Sequence, residues 1–230
     1  MFNRPELVIF DLDNTLYDYE IANASGQAAL ISFLSKHLGR PELEVLQLLG
    51  ESRLRVKGRL GSTASSHSRL LYIRELIVLL KIHTNASFAL ECEQVFWREY
   101  LKKTQLFPGV EELLSLLRLA GTRLALVTDH SSQIQLRKLN WLGLDKTFDV
   151  IVTSEEAGGD KITNLPSIML KDLVPIEGDV WCVGDNDWDY LFQEESMFFK
   201  KVMKGKISSM SANSFQFSDY FELSREIKFE

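Results

Sequence analysis

The hydrophobic rhythm of the chain changes several times. Leu7–Phe10 is a short unbroken apolar run, as in a strand buried on both faces. After Leu16 the spacing becomes helical: Ile21, Ala24, Ala28, Ile31, Leu34 and Leu38 recur every three or four residues until Gly39. Pro41 suits the first turn of a short helix, Glu42–Leu49. The pattern then fails from Arg53 to Ser68, a basic and then small, polar stretch that predicts a flexible loop. Ser68 is placed to cap a helix over Arg69–Lys81, and a further helix is predicted over Phe88–Lys102.

After "LFPG" the pattern alternates between short apolar runs and helical spacing. Helices are predicted at Val110–Leu119, Ser131–Leu142 and Pro166–Leu173, and buried strands at Leu124–Val127, Val150–Val152 and Val180–Val183. Phe198–Val202 reads as an edge strand and Ser208–Ser214 as a loop. Buried strands alternating with helices predict an α/β fold: a Rossmann-like parallel sheet with helices on both faces. The helical block after the first strand is too long for a crossover and predicts an inserted all-helical cap domain. The expected division is a core of residues 1–16 and 105–230 and a cap of residues 17–104.

In an open parallel sheet, ligands bind beyond the carboxyl ends of the strands. The residues that follow each predicted strand are therefore informative. Asp11 and Asp13 follow the first, in "IFDLDNTL"; Thr128 and Asp129 follow the second; Lys161 lies in the loop after the third; "GDNDWD", with Asp185, Asp187 and Asp189, follows the fourth. Adjacent carboxylates repel unless a cation lies between them. Mg²⁺ takes hard oxygen ligands, which Asp11, Asp185 and a substrate phosphate can supply. A hydroxyl and an ammonium can hold the remaining phosphoryl oxygens. One carboxylate can attack phosphorus, and a second two residues on can move the proton. Taken singly, each piece also reads as an ordinary turn, cap or surface lysine; all of them at strand ends, in a workable order, point to phosphoryl chemistry.

Composition narrows the partners. The 230-residue chain has a formal net charge of −6, which argues against binding nucleic acid polymers or anionic membranes. No apolar segment approaches the ~20 residues of a membrane span. Two distant cysteines without metal-ligand spacing, and no signal-peptide pattern, predict unbridged thiols and a cytoplasmic protein.

The segments "FDLDNTL", "LFPGVEELL", "LALVTDHSSQIQLRKLNWLGL", "FDVIVTSEEAGGDK" and "VWCVGDNDWD" resemble the haloacid dehalogenase superfamily in its phosphatase branch, whose most common cap sits where the helical block sits here. The resemblance implies that Asp11 is the nucleophile and Asp13 the acid/base. It implies a Mg²⁺ site of Asp11, the Asp13 backbone carbonyl and Asp185. It gives the phosphate-binding positions Thr128, Asp129 and Lys161, and a second acidic residue at Asp189, with Asp187 competing for that role. Asp129 stands where relatives commonly have asparagine, so its carboxylate is expected to face away from phosphate or to be paired. Lys161 lacks the proline that commonly follows it in relatives. Asp13 and Asp185 together favour phosphoryl transfer over dehalogenation. The expected substrate is a small phosphorylated metabolite, a sugar or sugar-acid phosphate, with Arg55, His67 and Arg69 of the basic segment reading it; a 5′-nucleotidase, a phosphotransferase, a haloacid dehalogenase or a non-catalytic binding protein are the competing readings.

Overall fold

The computed structural model describes residues 2–83, 85–171, 175, 178–189, 199–204 and 214–228. In chain order the named elements begin with strands β1 (Phe2–Asn3) and β2 (Leu7–Phe10). Helices α1 (Tyr19–Leu38), α2 (Glu42–Leu60), α3 (Arg69–Leu79) and α4 (Ala86–Lys102) follow. Then come α5 (Val110–Leu119), β3 (Arg123–Thr128), α6 (Ser132–Trp141), β4 (Val150–Thr153), α7 (Ser154–Ala157), α8 (Leu165–Met169) and β5 (Val180–Gly184). The last are β6 (Phe199–Lys204), β7 (Ser214–Phe217), α9 (Tyr220–Glu226) and β8 (Ile227–Lys228). The chain divides into two units, Met1–Asp18 with Gln105–Glu230, and Tyr19–Thr104.

The first unit is built on a parallel sheet of order β4-β3-β2-β5-β6-β7. Register runs Leu7↔Arg123 to Phe10↔Leu126 on one side of β2 and Leu7↔Val180 to Phe10↔Val183 on the other. Parallel register puts the carboxyl ends of β2, β3, β4 and β5 on one edge. Every residue of β2 and β5 is buried, which is why these strands read as unbroken apolar runs rather than as alternation. Leu7, Ile9, Ala125, Val127, Val152, Leu170, Val180 and Cys182 form one continuous cluster. Neither Cys92 nor Cys182 is bridged, and both are buried.

Two expectations for this unit change. β6 is not an edge strand, because β7 pairs with it from Lys201↔Ser214 to Lys204↔Phe217. The helix expected over Pro166–Leu173 is the shorter α8, with Pro166 in its first turn where a missing N–H costs nothing. Leu173, Phe198 and positions 208–213, which carried other expectations, lie outside the described residues.

The second unit is helical. α1 and α4 pack closely at Gly26, where an added Cβ would meet the Phe96 carbonyl oxygen at 2.9 Å. Asn85 caps α4 by accepting from the Phe88 N–H, and Ser68 caps α3 by accepting from the Leu71 N–H. The predicted loop beginning at Arg53 is a correction: α2 continues to Leu60, and Gly61, at φ 60°, ends it. The buried stripe of α2 is Val45, Leu49, Ser52 and Val56, spaced by four, three and four. Its third position is polar, which broke the apparent pattern; the Ser52 hydroxyl is satisfied by the Leu48 carbonyl at 2.7 Å. Arg53, Arg55 and Arg59, which suggested a loop, are exposed on α2, and Arg55 pairs there with Glu51 one turn earlier at 2.6 Å. Residues 64–67 form a short 3-10 turn.

Candidate active site

Four strand ends bring chemistry together. Beyond β2 the Asp11 N–H still bonds the Val183 carbonyl at 2.9 Å, so the first aspartate is fixed by the ladder itself. Its Oδ2 accepts from the Thr15 hydroxyl at 2.9 Å and its Oδ1 from Lys161 Nζ at 2.6 Å. The chain can turn back to place Thr15 there because Asn14 adopts a left-handed conformation, φ 60°, which asparagine tolerates. Lys161 Nζ also pairs with Asp189 Oδ1. Asp189 closes a single 3-10 turn, and its Oδ2 accepts from the Asn186 N–H at 2.9 Å. This fold-back depends on Gly184: an added Cβ there would stand 2.2 Å from Asp189 Oδ2. Carboxylate oxygens of Asp11, Asp185 and Asp189 lie within 4.8 Å of one another.

The electrostatics follow from burial. Asp11 is raised well above its ordinary value by desolvation, with Asp189 and Asp13 adding to the rise against Lys161. Asp185 is raised by burial and by Asp189. Burial alone would lower Lys161, but Asp11, Asp189 and Asp129 hold its ammonium charged. Three carboxylates against one ammonium leave two negative charges in a small volume. Hard oxygen donors and that deficit fit one divalent cation of the Mg²⁺ type, which the side chains of Asp11, Asp185 and Asp189 could hold; the resemblance places the Asp13 backbone carbonyl with Asp11 and Asp185 and gives Asp189 a supporting role.

Asp13 stands in a different environment. Both of its carboxylate oxygens accept from Lys138 Nζ at 2.8 Å, and the Tyr17 hydroxyl donates to Oδ1. Burial would raise its pKa, but Lys138, Tyr17 and His130 bring it below the ordinary carboxylate value. Two aspartates one residue apart are thus pushed in opposite directions.

Thr128 ends β3, and its Oγ1 accepts from Gln135 Nε2 at 2.5 Å. The same amide reaches the Asp129 carbonyl at 2.7 Å. Asp129 is paired, as one of the two expectations had it: its Oδ1 accepts from the Lys161 N–H at 2.8 Å and the Ser154 hydroxyl at 3.0 Å. The carboxylate thereby anchors the loop that carries Lys161. Asp187 lies away from the cluster, largely exposed and paired with Lys201. Its neighbour Asp189 is the one the structure brings to Asp11.

Sequence reasoning passed over Thr15, Tyr17, Gln135, Lys138 and Ser154. Gln135 and Lys138 share the buried face of α6 with Ile134 and Leu139. Two polar residues three apart on the inward stripe of an amphipathic helix were the available signal. His130, at φ 117°, is a non-glycine residue in a backbone region that favours glycine.

Residues 8–192 match the model of a family described as haloacid dehalogenase-like hydrolase. The chain belongs to the haloacid dehalogenase-like hydrolases. Over 159 residues, 67% of the chain, it is 36% identical to a ribulose-1,5-bisphosphate 5-phosphatase from Halopiger xanaduensis, and it spans 65% of that relative's length. It is 31% identical over 189 residues, 80% of the chain, to the N-acylneuraminate-9-phosphatase of Rattus norvegicus, spanning 75% of it. Among solved structures, the haloacid dehalogenase-type hydrolase YfnB from Bacillus subtilis, bound to magnesium, superposes with a TM-score of 0.63 at 19% identity, covering 96% of this chain and 98% of that one. A likeness at that identity carries the fold.

In this haloacid dehalogenase-like hydrolase the helical unit has a cavity of its own, about 260 Å³. Tyr19, Glu20, Asn23, Gln27, Arg53, Arg69 and Tyr72 line it on the polar side, and Leu30, Leu46 and Leu49 are among its apolar lining. Arg69 Nη2 donates to the Tyr19 hydroxyl at 2.9 Å and to Asn23 Oδ1 at 2.8 Å, with its guanidinium 5.0 Å from the Phe96 ring centre. Of the three cap residues expected to read substrate, Arg69 lines the cavity; Arg55 and His67 do not.

Proposed function

We propose that the chain is a Mg²⁺-dependent phosphatase acting on a small phosphomonoester through an aspartyl-phosphate. The observation that carries this reading is the cluster of Asp11, Asp185 and Asp189 around one buried lysine, with a differently tuned Asp13 two residues from Asp11. Magnesium bound by the three carboxylates would neutralise charge on the phosphoryl oxygens. Asp11 attacks phosphorus, and the bond to the ester oxygen breaks. Asp13 gives its proton to that oxygen and becomes a carboxylate. It then takes a proton from water, whose oxygen bonds to phosphorus as the Asp11–phosphate bond breaks. Thr128 and Lys161 hold phosphoryl oxygens, while Asp189 sets the position of Lys161. Thr15 holds Asp11 in one rotamer, so the nucleophile is oriented before substrate arrives.

For the substrate we infer a sugar or sugar-acid phosphate. A ribulose-1,5-bisphosphate 5-phosphatase and an N-acylneuraminate-9-phosphatase stand among the relatives. The cavity of the helical unit offers two guanidiniums, one carboxylate (Glu20), two phenols and two amides beside leucines, a lining that suits the hydroxyls of a short carbon skeleton, with one guanidinium in excess of the carboxylate for an acidic group.

The test is phosphate release from p-nitrophenyl phosphate and from a panel of sugar and sugar-acid phosphates, with Mg²⁺ and with excess chelator. Release only with the metal is expected. Release undiminished in chelator, or none from any phosphate under either condition, overturns the reading. Arg69→Ala should raise KM for the best panel substrate by about tenfold, the worth of a lost charged hydrogen bond, and leave the aryl phosphate within about twofold. An equal effect on both removes the cavity from substrate recognition.

A further inference from the structure

α6 needs an apolar stripe to pack against its sheet, and Ile134 and Leu139 supply half of it. The other buried positions are Gln135 and Lys138. Lys138 is 1% exposed, the most buried charged residue among those described. An ammonium in that place is costly to desolvate, and leucine or methionine would fill the volume without the cost. What the lysine adds is its grip on Asp13. One nitrogen stands 2.8 Å from both carboxylate oxygens, which fixes where the group points, while the Tyr17 hydroxyl on Oδ1 restricts its rotation. The Tyr17 hydroxyl reaches Oδ1, and Lys138 Nζ lies 5.8 Å from the Tyr17 ring centre, so the three side chains form one unit.

We propose that Lys138 is the positioning residue for Asp13 in the reaction, an inference that rests on the phosphatase reading above. In the first half-reaction the proton passes from Asp13 to the ester oxygen as the phosphorus–oxygen bond breaks. Asp13 is left as a carboxylate with two accepting oxygens, and that is the form Lys138 and Tyr17 hold here. In the second half-reaction one of those oxygens takes the proton of the attacking water. Delivery of the next proton requires Lys138 to release one oxygen while retaining the other. The lysine therefore keeps Asp13 in reach through a full cycle without itself touching substrate.

The test separates proton delivery from folding. Lys138→Met, Lys138→Arg and Asp13→Asn are assayed with Mg²⁺ on dinitrophenyl phosphate, whose leaving group departs without a proton, and on phenyl phosphate, whose leaving group needs one. The ratio of kcat/KM for the two substrates within one preparation does not depend on how much of the protein is folded. Lys138→Met is expected to lose up to about a hundredfold on phenyl phosphate, the low end of general acid catalysis, and less than about threefold on dinitrophenyl phosphate. Lys138→Arg is expected to recover most of that loss. Added to Asp13→Asn, Lys138→Met is expected to leave the ratio unchanged. Equal losses on both substrates, or a further change of the ratio in the double variant, overturn the proposal and leave the phosphatase reading standing. A wild-type protein that releases phosphate from neither overturns both.

Discussion

Gly184 is the smallest residue at the site and one of its strictest requirements. The side chain of Asp189 occupies the space a Cβ would need, with Asp189 Cβ at 2.3 Å and Cγ at 2.4 Å from it. Gly184→Ala is therefore expected to displace Asp189, free Lys161 from one partner and cut turnover by about tenfold or more, since misplacement of a positioning group costs on that scale. Activity within about twofold of wild type would show that Asp189 is not needed where it stands. Asp187→Asn is the matched control: its exposed pair with Lys201 lies outside the cluster, and surface pairs contribute little. At this scale the sequence was most informative where residue type and position agreed. Asp11, Asp13, Lys161 and Asp185 follow a buried strand or lie in the loop beyond it, and Thr128 is the last residue of one. Asp189 is the first expectation for the second acidic residue only through the resemblance, with Asp187 competing; the residues themselves do not separate them, because the fold-back over Gly184 decides which carboxylate turns inward. Lys138 is hard to read for a physical reason: lysines usually stay in water, and in "LRKLNW" only its place on the stripe shared by Ile134, Gln135 and Leu139 marks it as inward.

The helices of the second unit show what pattern reading can and cannot reach. α1, α3 and α4 carry apolar stripes or caps that predict them to within two residues at most ends. α2 was cut short because Ser52 holds a stripe position and the solvent face is rich in arginine. β7 went unpredicted because "SFQF" is short and follows a serine-rich stretch, and its place in the sheet comes from pairing with β6. Gly26 gives an element-scale prediction. In α1 it meets α4 at the Phe96 backbone, which cannot move away as a side chain can. Gly26→Ala gains helix propensity of about 1 kcal/mol but must push two helices apart. Overpacking of this kind costs about 1–3 kcal/mol, so a net loss of stability is expected. A thermal melt showing Gly26→Ala at or above the wild-type midpoint would mean that α1 and α4 adjust freely.

At the scale of the whole molecule, the uncompensated charge of the site becomes a stability term. Among the described residues no helix is long and apolar enough to cross a membrane. Asp11 and Asp185 have folded pKa values above the ordinary 3.8. A carboxylate raised in this way keeps its proton longer in the folded chain than in the unfolded one. Between the two values the folded state binds more protons, so stability falls as pH rises. Asp13 is lowered from 3.8, so its stabilising contribution is complete above that value and lost only as pH falls below it. The Lys161 pKa is raised, and its contribution is complete below 10.5. Above 3.8 and below 10.5 the slope from this site therefore comes from Asp11 and Asp185, over the range between 3.8 and their raised folded values. In chelator the melting temperature is expected to fall as pH rises through that window. A divalent cation binds the ionised carboxylates of the folded chain and stabilises it by RT ln(1 + [L]/Kd), about 2.7 kcal/mol at a hundredfold excess over Kd. Saturating Mg²⁺ should raise the neutral-pH midpoint most and flatten the slope, and Asp185→Asn should abolish most of both effects. Melting curves that respond to pH in the same way with and without Mg²⁺, and in wild type and Asp185→Asn alike, would show that the carboxylates of Asp11, Asp185 and Asp189 do not share a cation.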